Sequence, residues 1–253
     1  SNKKSAPGGR AAAQLRILSM RRSLSFYCFS PAVMIATFIF ETVAALILLL
    51  RYRRTLEIKL IIAMLLCLAI FQFAEYMVCE VALGLSSLDW SRVGWVAISF
   101  LPPIGTHLGL AIAGKKLPFI TWGGYAVAVV FSVYFLTVGH GIQSSECMGN
   151  YVIFEVYKPA LTVYMGYYYV WLAAGMTAAF LYAKDIKDKK RRQALRWLGV
   201  GYASFIFPTI AANLIAPETL SAIPSVMCGF AVILAIILLF MIAPRVGKLR
   251  KTK

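Results

Sequence analysis

The stretch that most constrains the fold is residues 58–83, an almost wholly apolar run long enough to cross a bilayer. About 20 apolar residues suffice for a transmembrane helix, but the second half of this run also carries polar and acidic groups. A carboxylate inside a membrane costs about 2.5 kcal/mol or more unless it is protonated, paired or hydrated. The spacing predicts one broad helical face that carries Gln72, Glu75, Tyr76, Cys79 and Glu80. The remaining helices are therefore expected to cover this face with protein or water.

The composition indicates an integral membrane protein with a single polytopic domain. Hydrophobic residues make up 60% of the chain and charged residues only 14%, whereas soluble domains carry about 25% charged residues. The net charge of +16 arises from short basic clusters beside apolar stretches, which is the topology signal of membrane proteins. We therefore expect the lipid bilayer, with its anionic headgroups, to be the partner of these clusters, and not a nucleic acid.

Apolar stretches predict an all-α fold, a bundle of seven transmembrane helices over residues 26–243. The predicted spans are 26–50, 58–83, 93–114, 117–138, 160–183, 195–216 and 219–243. Residues 1–25 are predicted to form a basic flexible tail, and residues 244–253 a basic cytoplasmic tail. With this count, one set of loops and the C-terminal tail hold 18 lysines and arginines, and the opposite loops hold only Arg92 and Lys158. The positive-inside rule then places the C-terminus in the cytoplasm and the N-terminus outside, although the N-terminal tail adds six basic residues to the outer side.

Polar groups from several predicted spans fall in the outer half of the bundle. This depth predicts a small-ligand site formed by Gln72, Glu75, Tyr76, Tyr164, Tyr168 and Asn213. For the tyrosines an alternative is an interfacial aromatic belt, which is common near a bilayer surface. For Glu75 the alternatives are a ligand contact, a proton carrier, or a hydrogen bond that holds two helices together.

Two further residues are candidates for a proton or polar relay. Glu41 lies near the middle of the first predicted span, and His107 follows Pro102 and Pro103 in the third. Tandem prolines remove backbone hydrogen bonds, so they are expected to kink or unwind that span.

Five cysteines and two histidines show no metal-ligand spacing, so neither a metal nor another cofactor is predicted. An oxidising exterior allows a disulfide, for which we predict Cys147 with Cys28 or with Cys79. It would tie down the loop 139–159, the longest external one, which is predicted to lie over the outer cavity as a lid. No P-loop, G-x-S-x-G or H-E-x-x-H motif is present.

Cys28-Phe29-Ser30 and the pair Gln72-x-x-Glu75 resemble a bacterial seven-span membrane family whose members open with Met-Cys-Phe-Ser. This chain differs from that pattern by Pro31 after the serine and by the long tail before the cysteine. The resemblance implies a bacterial inner-membrane protein and no particular activity. More loosely, the stretch WVAISFLPP is similar to the seven-span sensor region of membrane histidine kinases. Because few residues follow the last span, that likeness implies a separate cytoplasmic signalling partner.

The sequence favours a sensor or receptor with an outward-facing cavity for a small molecule, in which Pro208 and Pro224 permit helix movement. One alternative is a membrane-embedded enzyme that acts on a lipid or lipid-linked substrate, with Glu75 or His107 as acid and base. Another is a proton-coupled transporter that uses Glu41 and Glu75 as relay sites.

Overall fold

The computed structural model describes residues 31–80, 83–139, 141–147, 152–215 and 223–250, except for the side chains of residues 146–147 and 212–213. The α-helices are α1 (Pro31–Arg51), α2 (Leu56–Glu80), α3 (Ser87–Ser99), α4 (Leu101–Ala113), α5 (Pro118–Thr137), α6 (Lys158–Asp185), α7 (Lys189–Ile215), α8 (Ile223–Ile236) and α9 (Ala243–Val246). A π-helical segment, Ile237–Ile242, joins α8 to α9, and β1 (Ile142–Cys147) pairs antiparallel with β2 (Val152–Val156).

Within the described ranges, these helices form seven rods, because α3 leads into α4 and α8 continues through the π-helical segment into α9. Five rods are long and apolar enough to cross a membrane: Pro31–Arg51, Leu56–Glu80, Ser87–Ala113, Pro118–Thr137 and Ile223–Val246. This confirms the helical, multi-pass character of the chain. The other two rods, α6 and α7, have 28 and 27 residues but carry more polar side chains. Seven crossings therefore stay a prediction.

The rods follow the predicted spans closely and extend beyond them where charged turns continue the helix. The third rod begins at Ser87 and the sixth at Lys189, several residues before the predicted starts at 93 and 195. The predicted tail 1–25 lies outside the described residues. Both α2 and α4 lie at the centre of the bundle, since α2 packs against α1, α3, α4 and α8, and α4 packs against α5, α6 and α7.

The tandem proline interrupts the third rod, as the sequence predicts. Helix α3 ends at Ser99 and α4 begins after Phe100, with proline in its first turn. Proline has no N–H, so the Ser99 carbonyl lacks the donor that Pro103 would otherwise supply. The Tyr167 hydroxyl donates to this carbonyl instead, at 2.8 Å. The break is thus satisfied by a side chain from α6.

The loop predicted as a lid contains a β-hairpin, which the all-α prediction did not include. Ile142, Val152 and Phe154 are buried, and the Phe154 ring lies 5.9 Å from that of Trp95 on α3. The hairpin contacts α2 and α3. It is therefore packed onto one end of the bundle by its apolar face.

The opposite end of the bundle carries the basic loops. The backbone of Arg53, after α1, donates to the Lys248 carbonyl at 2.8 Å. The Arg191 guanidinium donates to Glu57 at 2.7 Å and to the Ile112 carbonyl at 2.9 Å. These bonds hold together the ends of α1, α2, α4, α7 and α9.

We expect Gly105→Ala to lower the free energy of unfolding by about 1–3 kcal/mol, because the added methyl group overpacks the core. A Cβ at Gly105 meets the Tyr202 hydroxyl, which is buried and has no hydrogen-bond partner among the described residues. The measurement is thermal unfolding of the purified protein in detergent.

The matched control is Gly123→Ala, since nothing lies within 4 Å of a Cβ placed there. Adding Tyr202→Phe to Gly105→Ala should restore most of the lost stability. Equal melting temperatures for Gly105→Ala and the wild type would contradict the close approach of α4 and α7.

Candidate functional site

Glu75 lies at the junction of three elements. It is buried on α2, with 2% of its surface exposed, and its carboxyl group is hydrogen-bonded to Ser225 at the start of α8. The Ser225 hydroxyl also accepts a hydrogen bond of 3.2 Å from the backbone N–H of Val152, the first residue of β2. One serine therefore connects the hairpin, the last rod and the buried carboxyl group.

Glu41 brings a second carboxyl group from α1. Its side chain is fully buried, and neither of its oxygens has a hydrogen-bond partner within the described part of the chain; the same is true of Glu75 Oε1. Buried polar atoms without partners cost about 1–3 kcal/mol each. Among the described residues, Glu75 thus has Ser225 as a hydrogen-bond partner, whereas Glu41 has none.

Cys228, one turn after Ser225, lies near both buried carboxyl groups and two of the predicted ligand tyrosines. It lies within electrostatic range of Glu41 and Glu75 and of Tyr164 and Tyr168. Cys228 is not among the site residues predicted from the sequence. The signal available was its spacing, which places Ser225 and Cys228 at i and i+3 on one face of the last rod.

Tyr164 and Tyr168 belong to the interior and not to an interfacial belt. They are 1% and 6% exposed, and Tyr164 accepts a hydrogen bond of 3.3 Å from the Ser99 hydroxyl. The Tyr164 ring also packs 5.0 Å from that of Trp95. These contacts make the predicted ligand tyrosines part of the aromatic core under the hairpin.

The other predicted ligand residues are distributed differently. Gln72 is buried and Tyr76 is half-buried; Glu80, which shares their helical face but was not a predicted ligand residue, is exposed at the end of α2. The side chain of Asn213 lies outside the described residues. The polar face of α2 thus changes from buried to exposed toward the hairpin end.

A small cavity lies in the middle of the bundle, beside Tyr168, Tyr202 and Cys228. Its volume is about 20 Å³, which is room for about one water molecule. The rest of its lining is apolar, and Gln72, Glu75 and Tyr164 do not line it. Of the predicted ligand residues whose side chains the structure describes, only Tyr168 lines this cavity.

His107 lies on a different side of the bundle from Glu75. It is half-buried on α4, and its Nδ1 is 3.2 Å from the hydroxyl of Tyr125 on α5, whereas Glu75 is bonded to α8. The two predicted acid–base residues thus face different helices. No group of three or more His, Cys, Asp or Glu side chains placed to hold a metal ion occurs among the described residues.

The cysteines divide into bonded and free ones. Cys79 is disulfide-bonded, and Cys67 and Cys228 are free. Cys28 and the side chain of Cys147, both predicted partners, lie outside the described residues. The bonded cysteine follows Glu75 by one turn of α2, at the hairpin end of the bundle.

No protein-family model matches the chain, and no curated protein matches it.

We expect Ser225→Ala to increase amide hydrogen exchange in β2 by about tenfold or more, because it leaves the Val152 N–H without an acceptor, a loss worth about 1–3 kcal/mol. Hydrogen-exchange mass spectrometry of peptides that cover residues 141–157 measures this. The matched control is Ser204→Ala, because among the described residues the Ser204 hydroxyl bonds only to the Gly201 carbonyl of its own helix. Unchanged exchange in β2 would show that Ser225 does not anchor the hairpin.

Proposed function

We propose that the protein is a membrane sensor of seven crossings, with the hairpin outside, the basic end in the cytoplasm and the N-terminus outside. The observation that carries this proposal is Ser225, which bonds both the Val152 amide of the hairpin and the Glu75 carboxyl group. A change at the outer surface that moves the hairpin alters the hydrogen bonding of the last rod. The likeness to the sensor region of histidine kinases supports the sensor role, and the resemblance to a bacterial seven-span family supports the number of crossings.

The last rod provides the route from the outer face to the cytoplasm. It runs from Ser225 through the π-helical segment Ile237–Ile242 to α9, after which Leu249 forms a β-bridge with Tyr52. A π-helical turn is less regular than an α-helical one and is often found at functional sites. A shift between π and α geometry would turn the residues that follow it, so this segment is the proposed two-state element.

The small-molecule stimulus is proposed to act at the polar face of α2 beneath the hairpin. Gln72, Glu75 and Tyr76 are the residues proposed to meet it. A proton-coupled transporter is less well supported, because α2 turns apolar below Glu75, where Met64, Leu65 and Leu68 are all buried. A cytoplasmic signalling partner is proposed to contact the basic end of the bundle.

The orientation is tested with single cysteines added to a background in which every cysteine except Cys79 and its disulfide partner is replaced by alanine. We expect Gln143→Cys, at an exposed hairpin position, to react with a membrane-impermeant maleimide added outside intact cells. Lys187→Cys, exposed in the short connection between α6 and α7, should react only after the cells are opened. The reverse labelling pattern would place the hairpin in the cytoplasm and overturn the proposed orientation. Labelling of both positions from the same side would exclude an odd number of crossings between residues 143 and 187.

The sensor proposal is tested by asking whether a change at the hairpin end alters amide exchange at the other end of the last rod. We expect Ser225→Ala to raise amide exchange in β2 and also in residues 247–250, whose backbone pairs with residues 51–53 at the far end. Glu75→Gln should fold and should change exchange at the same two places, because it alters the group bonded to Ser225.

Glu80→Gln is the matched control, since it removes an exposed carboxyl group from the same helix; it should leave the far end unchanged. If the effects of Ser225→Ala and Glu75→Gln remain within the outer half of the bundle, Ser225 is a structural anchor and the sensor proposal is wrong.

A further inference from the structure

A groove at the basic end of the bundle lies between α7 and the end of the last rod. It is lined by Gln193, Arg196, Trp197, Val200 and Arg245 and has a volume of about 420 Å³. No Asp or Glu lines it, so its charge is positive.

The two arginines have no acidic partner in the described structure. The ion pairs found there join Arg92 to Asp89 and Arg191 to Glu57. Arg196 is exposed, and its guanidinium is free to meet a ligand from the groove. Arg245 is half-buried and is oriented by Gln193 Oε1, at 3.4 Å, and by the carbonyl of Met241. One guanidinium is therefore held in place and the other is exposed beside it.

The groove opens onto an apolar outer surface. Val200, one turn after Arg196, is 43% exposed, and along the same helix Phe207 is 60% exposed; Phe240 on the last rod is 58% exposed. Trp197 lies at the boundary between this surface and the arginines, a position that tryptophan favours where headgroups meet acyl chains. The groove thus combines a cationic head site with an apolar wall that continues away from it.

The π-helical segment sets the position of Arg245. The Ala243 N–H bonds to the Leu238 carbonyl, a spacing of five residues, and Pro244 has no N–H to continue an α-helical pattern. The wider turns change the direction in which the following residues leave the rod. Arg245 is thereby placed against α7, across from Arg196.

We propose that this groove binds the phosphate of an anionic phospholipid, with Arg196 and Arg245 on the phosphate oxygens and the acyl chains along Val200 and Phe240. Arginine suits this role because its planar donors match phosphate oxygens in pairs. A soluble phosphate would use the two arginines equally well, but it would leave the adjoining apolar wall without a ligand. The proposal does not depend on the sensor function.

The test titrates the full-length protein in detergent with phosphatidylglycerol and, separately, with phosphatidylcholine, and follows the first bound lipid by native mass spectrometry. We expect the wild type to bind phosphatidylglycerol more tightly than phosphatidylcholine. Arg196→Gln should weaken this binding about fivefold, and Arg196→Gln with Arg245→Gln about 25-fold, which corresponds to the usual attraction of each basic residue for anionic lipid. The binding of phosphatidylcholine should not change.

The matched control removes two positive charges elsewhere at the same end, with Lys184→Gln and Lys187→Gln, since both residues are exposed and neither lines the groove. We expect it to weaken phosphatidylglycerol binding by less than about twofold. An equal loss in this control would show diffuse attraction and overturn the site. Competition by millimolar inorganic phosphate alone would indicate a site for free anions instead. Arg245→Gln removes a contact within its own rod, so the double variant could fail to fold. In that case the single variant Arg196→Gln is the test. Unchanged affinity of Arg196→Gln for phosphatidylglycerol would overturn the proposal.

Discussion

The whole arrangement depends on sheltering the Glu75 carboxyl group within an apolar bundle. An acid at that depth is tolerated only if neighbouring rods supply a partner and exclude hydrocarbon. The last rod does so through Ser225, which is itself bonded to the hairpin. Because the partner comes from the last rod and the second bond of this serine comes from the hairpin, the buried carboxyl group and the hairpin are parts of one hydrogen-bonded unit. Glu41, without described partners of its own, lies beside this unit and depends on the same enclosure.

Hydropathy and charge were enough to predict the rods and the separation of the basic loops from the acid-bearing end. Hydropathy and charge could not predict features that depend on contacts between residues distant in the sequence. The Tyr167 hydroxyl bonds to the Ser99 carbonyl, which Pro103 leaves without a backbone donor. From the sequence alone, a tyrosine with such a buried partner cannot be distinguished from a tyrosine at the membrane interface. The hairpin was missed because its two strands are short, with five and six residues, and are stabilised by packing on the bundle.

The candidate site was predicted in part. Glu75 was singled out by its cost in a membrane, which is a local property of the sequence. Cys228 was not, because a cysteine in an apolar helix is ordinary unless the residues around it are known. The π-helical segment likewise has no local signal beyond Pro244, since its apolar residues Ile237–Ile242 also suit a regular helix. The two ends of the molecule therefore differ: charge identified the basic loops at one end, while the hairpin at the other end arises from packing.

The bond between Val152 and Ser225 joins residues 73 positions apart, and this separation bears on how the chain is assembled during synthesis. The hairpin leaves the ribosome before the last rod does, so its second strand carries an unmatched amide until the final helix is in place. Completion of the hairpin end therefore depends on the arrival of the last rod.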